Sequence, residues 1–143
     1  MTEGTKYPVG TCFHEAGHAV VAAALDLKVE ELRVSANDES GGTDIRGLDI
    51  SFIDQVAVCF AGLEAQNIWN CPSEHLAGGD DYRRFFKLVE GLSDDCREAL
   101  RNAGRERARD LLQINKQIVE DIAQHLMERG RMTAAEFKQF RGG

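Results

Sequence analysis

From Ala16 to Leu27 the chain is crowded with small apolar residues. This predicts a helix starting between Pro8 and Thr11, where proline suits a first turn and threonine can cap one. The rhythm then changes. Leu32, Val34 and Ala36 alternate with Arg33 and Ser35, the period of a strand. Residues 37–42 carry turn chemistry, and Thr43 to Arg46 reads as a second short strand. From Ser51 the pattern is helical: Ser51 and Asp54 have capping-box spacing, and Ile53, Val56, Phe60 and Leu63 recur at helical intervals. That helix should end near Asn70, before Cys71-Pro72. Residues 76–79 form a flexible approach to a helix from Asp80 to Glu90, stopped by Gly91. Arg97 to Arg129 is the longest periodic stretch, with Ala108, Leu111, Leu112, Ile118, Ile122 and Leu126 on one stripe. Thr133 and Glu136 then cap a short last helix carrying Phe137 and Phe140. The sum is a mainly α fold with a small β element, an α+β domain whose sheet has few strands.

Length and composition narrow this picture. The 143 residues suit a single domain over 1–143, with a polar, loose start at 1–6. Hydrophobic residues make up 43% and charged residues 29%, the balance of a soluble globular protein. The net charge of −7 is uneven: residues 1–96 hold 7 Lys/Arg against 17 Asp/Glu, and residues 97–143 hold 10 against 7. An acidic front half argues against a nucleic-acid partner, which calls for a basic footprint. Cys12, Cys59, Cys71 and Cys96 form no C-x-x-C pair, and Cys12 and Cys59 read as buried small hydrophobes. A reducing compartment follows. No apolar run approaches the ~18–20 residues of a membrane span, and no signal peptide opens the sequence. The expectation is a cytoplasmic protein without a membrane partner.

The chemistry concentrates in His14-Glu15-Ala16-Gly17-His18. Residues four apart on a helix differ by only ~40° around its axis, so His14 and His18 project side by side. Two imidazoles so placed can share one Zn²⁺. Glu15, ~100° round, can reach a water at the metal without ligating it, and so suits a general base for peptide hydrolysis. The bland reading is an exposed helix face with two histidines. Gly17 counts against it, because a mid-helix glycine costs ~1 kcal/mol and implies close packing. A hydrolytic zinc needs one more protein ligand, and Asp80, Asp81, His75 and Glu64 are the candidates.

Phe13-His14-Glu15-Ala16-Gly17-His18-Ala19-Val20 resembles the signature of the peptidase domain of FtsH-type AAA zinc metalloproteases. Residues 60–66, Phe-Ala-Gly-Leu-Glu-Ala-Gln, resemble that family's Gly-Arg-Ala-Ala-Glu helix. Gly78-Gly79-Asp80-Asp81-Tyr82 resembles its Gly-Ala-x-Asn-Asp-Leu turn, and residues 108–136 resemble its C-terminal helices. The resemblance implies a third zinc ligand at Asp81, whose spacing with Phe85 and Leu88 sets it on an inward face. It leaves Asp80 in the family's Asn position, as a helix cap near the site. A family glutamate that supports the site from behind a ligand is here Gln66, and the family arginine is Leu63. Glu64 is an alternative for that supporting role.

No G-x-x-x-x-G-K-[ST] loop occurs, so ATP binding by this chain is not expected. The implied activity is a zinc-dependent metalloendopeptidase cutting unfolded polypeptides, with His14, His18 and Asp81 on zinc and Glu15 as base. A homo-oligomer or a separate unfoldase are the partners the resemblance suggests. The rival reading is a zinc-stabilised adaptor module that kept the fold and lost turnover. The strand at residues 32–36 offers a candidate edge for an extended substrate, and His125 reads as an exposed helix residue.

Overall fold

In the computed structural model, residues 7–37, 40–47, 49–72 and 79–140 are described. His75, Gly78 and the segments expected to be loose at 1–6 and 76–78 lie outside these residues. The elements run α1 (Val9–Ala24), β1 (Lys28–Val34), β2 (Gly41–Arg46), α2 (Phe52–Ile68), α3 (Gly79–Leu88), α4 (Asp94–Ile114), α5 (Lys116–Arg129), β3 (Arg131–Thr133) and α6 (Ala134–Phe140). The fold is mainly α with one small antiparallel sheet, ordered β2-β1-β3, as the periodicities imply.

Thirteen of the sixteen residues of α1 are buried, so it is a central helix rather than a surface one. It packs on α2, α4, α5 and the sheet. Pro8 stands just before its first turn, and no side chain caps it; Thr11 lies inside the helix and is buried. The helix stops at Ala24, three residues short of Leu27, where Asp26 turns left-handed at φ 65°. The small residues of α1 let α2 approach closely. A Cβ on Gly17 would lie 2.7 Å from both the Ala61 carbonyl oxygen and the Ala65 Cβ, which is the packing reason its sequence position implies.

Two further expectations are revised. The stretch 97–129 is not one helix: α4 ends at Ile114 and α5 begins at Lys116. Asn115 breaks it, with φ −107° and ψ 26°, its side-chain amide donating to the Leu111 carbonyl; this side-chain competition for backbone groups is typical of asparagine. The apolar stripe continues across the break because Ala108, Leu112, Ile122 and Leu126 all face the same core. The second revision concerns β1. It is the central strand, paired with β2 on one side and β3 on the other, so it offers no free edge. The strand beside α1 with an outer edge is β2.

The capping predictions at Ser51 and Thr133 hold. Ser51 Oγ accepts from the Asp54 amide at 3.2 Å. Thr133 Oγ1 accepts from the Glu136 amide while Glu136 Oε1 accepts from the Thr133 amide at 2.9 Å, a full reciprocal box.

A second, smaller apolar cluster joins α3 to α2 through Val56, Cys59, Phe60, Phe85 and Val89. Phe60 meets Phe85 and Tyr82 edge-on, at centroid distances of 5.1 and 5.5 Å, a favoured aromatic geometry. This contact orients α3 and turns its first residues toward α1.

Candidate metal centre

Three side chains converge where α1, α2 and α3 meet. His14 Nε2 and His18 Nε2 lie 2.9 and 3.0 Å from Asp81 Oδ2, and 3.1 Å from each other. All three residues are buried. They form a group that could hold a metal ion.

The donor chemistry fits a metal. His18 Nδ1 donates to the Val58 carbonyl at 2.8 Å. His14 Nδ1 donates to Gln66 Oε1 at 2.7 Å, and Gln66 Nε2 donates to the Cys71 carbonyl, which fixes which end of the amide faces the histidine. With both Nδ1 atoms acting as donors, neutral imidazoles present their Nε2 lone pairs to the same small space as a carboxylate oxygen. Such hydrogen bonds behind a histidine set the tautomer that ligation requires. Without a metal, burial works against charge on His18, but the Asp81 carboxylate overrides it and raises the histidine's pKa. Burial likewise works to raise Asp81, and His18 and His14 nonetheless hold its carboxyl well below the usual range. Asp81 therefore remains an anion despite its burial.

Local structure explains each position. The i, i+4 spacing on α1 stacks the two histidines, whose ring centroids are 4.8 Å apart. The His14 ring lies against Gly62 of α2, where a Cβ would sit 2.5 Å from Nε2. Glu15 is buried on the flank of the pair, and its Oε1 accepts from Thr43 Oγ1 of β2 at 2.6 Å. Gly41 also lies over this carboxylate, since its Cβ would come within 3.0 Å of Oε2.

The other candidates are placed elsewhere. Asp80 is exposed and pairs with Arg83 at 3.0 Å, outside the cluster and inside the first turn of α3 rather than before it. Glu64 is buried on another face of α2, bridging Arg105 and Arg109 at 2.6 and 3.1 Å. It is a structural ion pair tying α2 to α4. Cys71 contributes its carbonyl to Gln66. Burial, with the Glu15 charge adding, pushes the Cys12 thiol up to about 12, and burial pushes Cys59 up to about 11; neither is a thiolate at neutral pH. His125 is half-buried rather than exposed, within 3.0 Å of the Arg131 carbonyl and against the Phe140 ring. Sequence reasoning did not find Thr43, Val58 or Gly41 as parts of the site. A backbone carbonyl, and the far contacts of a strand, leave no local pattern to read.

Residues 7–72 match the Peptidase M50B-like family. The matched segment, slightly under half of the chain, holds α1, β1, β2 and α2, and so contains His14, Glu15, His18, Thr43, Val58 and Gln66. Asp81 lies beyond it. The M50B-like match marks the chain as similar to metallopeptidases, and does not point specifically to an FtsH-type peptidase domain. No curated protein matches the chain. No helix among the described residues is long and apolar enough to cross a membrane.

Proposed function

We propose that the protein is a zinc-dependent metalloendopeptidase acting on unfolded polypeptides, in the manner of FtsH-type peptidase domains and in a cytoplasmic setting. The observation that carries this reading is the convergence of His14, His18 and Asp81, with Glu15 fixed beside them by Thr43. Zinc, when bound, supplies Lewis-acid polarisation of a peptide carbonyl and a water whose pKa falls toward ~7.

The chain's own residues do the rest. His14 and His18 offer Nε2 lone pairs, and Asp81 offers Oδ2. Gln66 and the Val58 carbonyl hold the imidazoles in the tautomer required. Thr43 Oγ1 donates to Glu15 Oε1, which would leave Oε2 to accept a proton from a water at the site and return it to the departing amine. A structural zinc site has four protein ligands and needs no base, whereas three donors and an adjacent glutamate suit hydrolysis. The adaptor reading draws on the neutral Gln66, but that residue still makes the hydrogen bond His14 needs.

The test is metal analysis of the purified protein with digestion of an unfolded substrate. Glu15→Gln should keep zinc and lose hydrolysis by ~10²–10⁴-fold. Asp81→Ala should lose both, while Asp80→Ala keeps both. Equal turnover by wild type and Glu15→Gln would remove Glu15 from the mechanism. Zinc binding with no turnover by the wild type would favour the adaptor.

A further inference from the structure

A cleft of about 820 Å³ opens beside the metal cluster, between β2 on one side and α2 and α3 on the other. Two of its lining residues belong to the site itself. Thr43 donates to Glu15, and the Val58 carbonyl accepts from His18. The cleft thus reaches the residues that position Glu15 and His18. β2 ends the sheet, and its outer edge has no strand partner among the described residues. An extended chain lying along it would send alternate side chains to opposite sides, one of which faces α3.

The charges in the cleft are unequal in kind. Glu30 is engaged by Arg46 at 3.0 Å and Asp44 by Arg33 at 3.2 Å. Arg84 and Lys87 also line the cleft, and neither has an acidic or hydrogen-bonding partner among the described residues. They lie three apart on α3 and share one face of that helix. Leu88, beside them, adds apolar surface that limits water around any pair they form. A solvated helix face is the ordinary role of such cations, and Lys87 in the last turn also suits the helix dipole. Two cations without a partner among the described residues, both facing this cleft in a chain of net charge −7, do more. The acidic front half of the chain, which supplies every lining residue of the cleft, repels acidic segments, and these two attract them locally.

We propose that Arg84 and Lys87 form a subsite that selects polypeptide substrates carrying an acidic side chain next to the cut bond. This inference rests on the peptidase reading and names the substrate feature it prefers. The two cations act on affinity and choice of substrate, not on the chemistry at the metal.

The experiment separates the two readings by measuring binding apart from cleavage. Zinc-loaded Glu15→Gln protein is titrated with labelled extended peptides that differ at one scanned position, bearing Glu, Gln or Lys. At one position Glu should bind about 3–10-fold tighter than Gln, the scale of one or two partly exposed ion pairs, and the margin should shrink at high salt. In the double variant Arg84→Glu/Lys87→Glu the order should invert, with Lys bound tightest. Both side chains are exposed, and an unchanged thermal melt confirms that the variant is folded. Equal or absent binding of the three peptides at every position overturns the subsite, as does a Glu preference that survives the double reversal. Acid-selective binding to a protein whose wild type cuts none of these peptides overturns the peptidase reading and leaves the subsite standing.

Discussion

Gln66 joins two partners with opposite demands. His14 Nδ1 needs an acceptor, and the Cys71 carbonyl needs a donor; the amide meets both, at 2.7 and 3.2 Å. A glutamate, which the FtsH-type resemblance implies here, would serve His14 but turn its second oxygen toward another acceptor. Gln66→Ala should therefore weaken zinc binding by ~10–100-fold, as loss of a partner behind a metal ligand does. Gln66→Glu should leave zinc affinity close to wild type and cost about 1–3 kcal/mol of stability, the scale of a lost buried hydrogen bond to the Cys71 carbonyl. Zinc titration and thermal melting read the two effects. A gain of both affinity and stability in Gln66→Glu would show that the amide is a defect rather than a fit. At this scale the sequence was most legible where chemistry is local. Five consecutive residues place His14, Glu15 and His18 on one helix, whatever the rest of the chain does. Asp81 was singled out among four candidates by the resemblance and by its helix face with Phe85 and Leu88, since partners 67 and 63 positions away leave no local pattern. Thr43 looked like any strand residue.

Between elements, the contact of α1 with α2 sets the site, and two glycines set that contact. Gly17 lets α1 rest on the backbone of α2 at Ala61, and Gly62 makes room for the His14 ring. Their replacements should fail in different ways. Gly17→Ala must separate two backbones in a close-packed interior, a change that costs about 1–3 kcal/mol or more. Gly62→Ala instead meets a side chain, so it should displace His14 and lower zinc affinity by more than it lowers the melting temperature. Equal loss of stability with zinc binding intact in both would refute this division. The same scale shows where periodicity fails. A three-residue strand such as β3 has no period to detect, and it forms because Met132 fills the core opposite Leu32. The break at Asn115 is hidden because the apolar stripe continues through it. The caps at Ser51 and Thr133 were legible because each is closed by residues three apart, whereas those expected at Thr11 and Asp80 lie inside their helices.

In the whole molecule, α3 is the least anchored part of the site. α1 is buried on nearly all sides within the main core, whereas α3 reaches the protein through Phe85, Val89 and the contacts of Phe60, and through Asp81. A metal shared by His14, His18 and Asp81 would therefore act as a clasp between a rigid element and a loosely held one. Binding that favours the folded state stabilises it by RT ln(1 + [L]/Kd), roughly 4 kcal/mol when zinc exceeds Kd a thousandfold. Removing zinc with a chelator should lower the melting temperature, and the loss should be local before it is global. Amide exchange should quicken across residues 80–89, while α1 and α2 keep their protection, since their packing on one another does not pass through the metal. The attraction between Asp81 and His18 retains part of the contact without metal, so α3 should loosen rather than detach. Chelation that speeds exchange evenly along the chain, or leaves residues 80–89 unchanged, would show that Asp81 does not bind zinc.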